Sequence, residues 1–212
     1  MKSRIFKEHF FKVICYMAGI TTALILVLIL GEIFLRGLPS LTFQFLITPE
    51  SGAKGLGGGI ANAIVGTILL SVISTILATP IAIGTAVYLK RYAKDGKIVR
   101  TLRFMIDVLS GTPSIVLGIF ALMFLVIYMR YITGGYSLIA GSIALAILIL
   151  PVIERSTEES IETVPHGIEE ASYALGATKW DTIRLITVPY ATTGIITGVV
   201  LGLGRAAEES AV

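Results

Sequence analysis

Long apolar runs separated by short charged stretches set the pattern of this chain. Val13–Gly31 carries no charge over 19 residues, and Gly55–Leu89 carries none over 35. A helix needs about 20 apolar residues to cross a bilayer. The pattern therefore predicts five spans. They are Val13–Gly31, a helix from about Ile60 to Leu89 after a glycine-rich loop (Gly55, Gly57, Gly58, Gly59), Val108–Met129, Ser137–Ile153, and a fifth from near Tyr190 that still runs at Val212. Tyr131 and Tyr136 flank the short fourth span, a position that suits interfacial aromatics. The first run exceeds a signal peptide's apolar core, and Glu32-Ile33-Phe34-Leu35-Arg36 follows it in place of a small-residue cleavage site, so it reads as an uncleaved anchor.

Composition agrees with a membrane chain. Apolar residues make up 55% and charged residues 15%, against about 25% charged in a soluble domain. Cys15 is the sole cysteine, which leaves no intramolecular disulfide and no cysteine metal site. The net charge is +3. No basic stripe with interleaved aromatics points to nucleic acid.

Charge alternates between loops. Lys2, Arg4, Lys7 and Lys12 precede span 1. Lys90, Arg91, Lys94, Lys97, Arg100 and Arg103 lie between spans 2 and 3, and Arg155, Lys179 and Arg184 between spans 4 and 5. The opposite loops hold only Arg36, Lys54 and Arg130. The positive-inside rule places the N-terminus, residues 1–12, and the first two of these richer loops in the cytoplasm; the third follows by alternation. Residues 13–212 then form one membrane domain. Five spans would leave Val212 outside, and a sixth span is expected beyond it.

The segment 154–189 is too long for a simple connection. Pro165 suits a first helical turn, with Glu169 and Glu170 where acids complement the helix dipole. Gly176 suits a C-terminal stop. Thr178 with Asp181 makes a capping box for a second short helix. Tyr173 and Leu175 suit a pocket on a partner, although the same helix would serve to pack on the membrane domain's own base.

Glu170-Ala171-Ser172, three residues, Gly176, nine residues, then Ile186-Thr187-Val188-Pro189 resembles the signature loop of ABC-importer permeases, with Ser172 and Val188 as mild departures. Gly58–Thr67, Ser110–Gly118 and Leu203–Ser210 resemble the phosphate-importer permeases, the A-type subunit above all. The resemblance implies an all-α, type I importer bundle of six spans that passes inorganic phosphate, or another oxyanion such as sulfate or molybdate. It implies a separate cytoplasmic ATPase dimer, a sister permease subunit, an extracytoplasmic binding protein and contact with membrane lipid. On it, Glu170, Ala171, Ser172, Tyr173, Leu175 and Gly176 form the coupling helix that docks on the ATPase.

Arg205, Glu208 and Glu209 lie at membrane depth, where ionisable groups usually face a bundle interior or a water path. Arg205 is the candidate contact for an anion, since a guanidinium donates parallel hydrogen bonds to phosphate. A structural ion pair with Glu208 or Glu209 is the other reading. The resembled family has glycine where Glu208 stands. Ser110, Thr112 and Ser114 surround Pro113, which removes a helix hydrogen bond; they either line the path or re-satisfy a kink. Gly194, Gly198 and Gly202 form two G-x-x-x-G steps, a packed seam within the chain or with a second subunit.

No phosphate loop, H-E-x-x-H or G-x-S-x-G occurs. The expected role is transport rather than catalysis, with no metal and no cofactor. An intramembrane enzyme or a scaffold is the alternative class.

Overall fold

The computed structural model describes residues 2–50, 58–94 and 96–210, with side chains from residue 8 onward. Lys54, Gly55, Gly57 and the end of span 5 at Ala211 and Val212 lie outside the described residues. The chain divides into two units, residues 1–62 and 63–212.

In the first unit, α1 (Lys2–Gly37) is a single helix whose large apolar side chains are exposed from Phe10 to Leu35. A short 3-10 turn, Leu38–Ser40, leads to α2 (Phe43–Ile47), whose N-terminus is capped by the Thr42 hydroxyl. Gly58 (φ +92°) and Gly59 then return to α2. A Cβ on Gly59 would sit 2.0 Å from the Phe45 carbonyl oxygen, so only glycine fits this approach.

The second unit holds α3 (Ala61–Val87, its first two residues in the first unit), which ends in a π turn, Tyr88–Tyr92. Then come α4 (Lys97–Gly111), α5 (Ser114–Ala121) continued by a π segment Leu122–Tyr128, the short α6 (Arg130–Thr133), and α7 (Leu138–Glu162). The chain continues with α8 (His166–Ala174), α9 (Lys179–Thr182), a π turn Ile183–Thr187 and α10 (Val188–Ser210). Among the described residues, four helical segments are long and apolar enough to cross a membrane, or five if the bent α4–α5 pair is one span.

In the second unit three boundaries differ from the sequence expectation. The third span is not a straight helix from Val108. Its chain breaks at Thr112-Pro113 and turns by 103°, because Pro113 has no N–H to continue the α4 ladder. The fourth helix does not stop at Ile153; it runs through Pro151 to Glu162, so the first quarter of the expected loop is helix. The fifth helical stretch starts at Lys179, and Pro189 sits inside a continuous rod, directly after the π turn Ile183–Thr187.

Several hydroxyls inside the spans bond back to their own helix, whereas that of Ser142, buried in α7, has no partner among the described residues. Ser71 donates to Thr67 O (2.7 Å), Thr75 to Ser71 O (2.7 Å) and Thr157 to Ile153 O (2.7 Å). Such back-bonding lets polar residues be buried where no water competes. Ala78 and Ala82 of α3 share an apolar cluster with Ile149 and Ile153 of α7 and Ala206 of α10.

The glycine seam lies within the chain. A Cβ on Gly194 would fall 1.9 Å from Ser160 Oγ, one on Gly198 2.6 Å from Ser156 Cβ, and one on Gly202 2.7 Å from Ile153 Cγ1. The Ser156 hydroxyl donates to Gly194 O at 3.2 Å. Backbone proximity of this kind is how small residues join helices in lipid. Gly194→Ala should cost about 1–3 kcal/mol through overpacking, measured as a lower midpoint for thermal unfolding of the purified chain in detergent.

Candidate functional site

The turn from α7 into α10 is built as a folded cap rather than a slack loop. Pro165 precedes α8, which ends at Gly176 with φ +88°. The Ala177 N–H donates to Ser172 O and the Gly176 N–H to Tyr173 O, a Schellman closure that requires the left-handed residue to be glycine. Thr178 and Asp181 form the expected capping box on α9.

One face of α8 points inward. Glu169 is buried and accepts from Arg91 Nε at 2.8 Å and from the Thr187 hydroxyl at 2.6 Å. Arg91 also donates to Ile161 O at 3.0 Å. This knot ties the end of α3, the end of α7, α8 and the start of α10. Beneath it Ala86, Ile161, Val164, Ala191 and Ile195 form an apolar cluster. Ser172 and Thr182, both buried, share a hydrogen bond of 2.9 Å, and Lys179 Nζ stands 5.0 Å over the Tyr92 ring.

Glu170, Ala171, Tyr173, Ala174 and Gly176 are exposed on the other face, with Leu175 89% exposed and Trp180 beside them. So α8 does both things that the pattern allowed: it packs on the base and leaves an open face. Ser172, expected in the docking set, is buried, with its side chain turned into the hydrogen bond with Thr182. The pairing of Glu169 with Arg91 escaped sequence reasoning. They are 78 positions apart, and no local spacing links them.

Ion pairs hold α4 to the same end of α7. Arg103 Nη1 lies 2.7 Å from Glu158 Oε1 and Arg155 pairs with Asp107, while Lys90, in the turn that ends α3, reaches Glu162 at 2.8 Å. Glu154, 1% exposed, sits beside this network with no hydrogen-bond partner for either carboxylate oxygen among the described residues.

The expected path residues separate into two groups. Ser114 and Glu209 line one cavity of about 460 Å³ with Ser210, Leu70, Gly118 and Gly141. Arg205 is exposed and lines an adjoining groove along α10 with Gly204, Glu208 and Glu209. Glu209 therefore borders both. No ion pair joins Arg205 to Glu208 or Glu209 among the described residues, so the guanidinium is not consumed by a structural bridge. Ser110 and Thr112 line neither space. Ser110 is exposed, and Thr112 donates back to Val108 O at 2.6 Å, completing the last turn of α4.

Residues 78–212 match the family model described as binding-protein-dependent transport system inner membrane component. The chain is 37% identical over 199 residues to the probable ABC transporter permease protein YqgI of Bacillus subtilis (strain 168), covering 92% of this chain and 66% of that protein. It is 36% identical over 185 residues to the phosphate transport system permease protein PstA of Pasteurella multocida (strain Pm70), covering 86% of this chain and 64% of that one. It thus spans just under two thirds of the length of these relatives. Among solved structures, an inward-facing MetNI methionine ABC transporter chain superimposes with a TM-score of 0.63 at 24% identity, over 71% of each chain. That likeness concerns the fold alone.

Proposed function

The chain belongs to the family of binding-protein-dependent transport system inner membrane components, and from that membership we propose that it is the membrane-spanning permease subunit of an ATP-driven importer for inorganic phosphate. The phosphate transport permeases among its relatives support the substrate. The observation that carries the coupling role is α8 itself, an exposed face of Glu170, Ala171, Tyr173 and Leu175 on a helix fastened from behind by Glu169.

In this reading the N-terminus and α8 face the cytoplasm, since thirteen of the 17 basic residues fall on that side. A cytoplasmic ATPase dimer grips the open face of α8. Closure of the dimer moves α8, and the knot at Glu169 passes the motion to α3, α7 and α10 together. The spans then alternate between inward and outward access, with a sister permease completing the path and an extracytoplasmic binding protein delivering the anion. Lipid surrounds the exposed apolar helices. ATP is hydrolysed on the partner, so this chain needs no catalytic residue, metal or cofactor of its own.

Arg205 meets the anion at the α10 groove, and Glu209 keeps the site from holding it too tightly. Loss of a charged hydrogen bond of about 1.5–3 kcal/mol corresponds to roughly 10- to 100-fold. Arg205→Ala should lower uptake of labelled phosphate by that factor while the chain still co-purifies with its ATPase. Unchanged uptake by that variant removes Arg205 from the path.

A further inference from the structure

The helix α4 has an outer face that the transport reading does not use. It meets α5 at 103°. If the stretch Ser114–Tyr128 crosses the bilayer, α4 runs close to the membrane plane. Its ion pairs to Glu158 and Arg155 place it at the end of α7 that leads into α8.

Its inner side is accounted for. Val99 and Ile106 are buried with Leu89, and Ala93 and Leu102 pack against them. The outer side is apolar as well: Ile98 is 70% exposed, Phe104 65%, Met105 55% and Val108 48%. Ile98, Thr101, Met105 and Val108 follow the spacing of one helical face. Arg100, Arg103 and Asp107 form a polar edge between the two apolar sides. Lys94, Lys97 and Arg100 are exposed and have no ion-pair partner among the described residues.

We propose that α4 lies in the headgroup layer of the leaflet on the coupling-helix side, with Ile98, Phe104, Met105 and Val108 in the acyl chains and Lys94, Lys97 and Arg100 on the phosphates of anionic lipid. The proposal rests on α5 spanning the membrane. An apolar arc beside a basic edge is the pattern of a helix lying in the interface, and basic residues near an anionic surface each add attraction. Dissolved phosphate would need the basic edge but not the apolar arc. Charge complementarity together with that arc favours the lipid surface. Through Arg103 and Asp107 the helix is fastened to α7, so the lipid layer becomes a fixed support against which α8 is moved.

The test uses the full chain in vesicles of phosphatidylcholine with about one quarter phosphatidylglycerol. Trp180 is the one tryptophan of this sequence, so Phe104→Trp is placed in a Trp180→Phe background and compared with that background alone. The expected result is quenching of the new tryptophan by lipids brominated in their acyl chains, with protection from aqueous iodide. Brominated phosphatidylglycerol should quench more than brominated phosphatidylcholine. Lys94→Gln, Lys97→Gln and Arg100→Gln together should erase that preference, at roughly fivefold in relative lipid affinity per charge removed. Quenching by iodide and not by bromolipid overturns the proposal. So does quenching by neither, which means that protein covers the face, and so does equal quenching by both lipids that the triple variant leaves unchanged. Co-purification with the ATPase is scored separately. Its failure would strike the coupling reading and leave the lipid result standing.

Discussion

Ala171→Trp should leave the chain folded and inserted, abolish co-purification with the ATPase subunit and reduce phosphate uptake to background. Ala171 is exposed on α8, and surface substitutions of this kind usually change stability by no more than about 0.5 kcal/mol. The effect therefore falls on the docking partner, which loses its close approach to the helix. Gly176→Pro should give the same outcome by another route. Proline holds φ near −65°, whereas this residue stands at +88°. Proline also removes the N–H that donates to Tyr173 O. The corner that presents Leu175 would open. Immunoblots of membrane fractions check insertion, and affinity capture checks the ATPase. Normal capture and normal uptake by both variants would withdraw α8 from coupling.

Arg91→Glu is expected to have a comparably large effect from the inner side of the same helix. Removing one member of a buried ion pair costs ~3–5 kcal/mol, and this change also sets a second carboxylate against Glu169. The Thr187 and Ile161 contacts are disturbed with it, so α8 loses its link to three helices. A coupling of ~1–3 kcal/mol corresponds to roughly 5- to 150-fold, and uptake should fall within that range or below it. The ATPase should still bind, because the outer face of α8 is untouched, but its hydrolysis should no longer respond to the binding protein. Arg91→Glu combined with Glu169→Arg restores opposite charges across the same gap. It should recover much of the uptake, although not the Ile161 contact. Failure of the double variant to exceed the single one would mean that the pair does not transmit motion.

These residues mark where the sequence is legible and where it is not. The Gly176 corner and the Thr178–Asp181 box are written in consecutive residues, and the structure has both as expected. The glycine seam was legible as a close approach, since glycine at every fourth position on a helix has few other uses. Its partner face, Ser156 and Ser160, was not, because nothing on α10 names the helix opposite. The region from Lys97 to Arg103 looked like a basic loop. Its helical signal, Val99, Leu102 and Ile106 at spacings of three and four, was present but masked by the charges of a helix whose two sides are both apolar. The extension of α7 past Ile153 was hidden likewise. Glu154 to Glu162 is too polar for a span, and it is helical because Lys90 and Arg103 find partners along it and its own Ser156 donates to Gly194 O of α10. The Arg91–Glu169 pair joins distant segments and becomes visible only when the fold brings them together.

The role in phosphate import is tested most directly by uptake of labelled phosphate in cells that lack the full-length chain and then regain it, with unlabelled phosphate, sulfate and molybdate as competitors. A role in phosphate import requires that uptake return with the chain and be suppressed by phosphate but not by sulfate or molybdate. Uptake that does not depend on the chain, or that sulfate or molybdate suppresses as well as phosphate does, would contradict it.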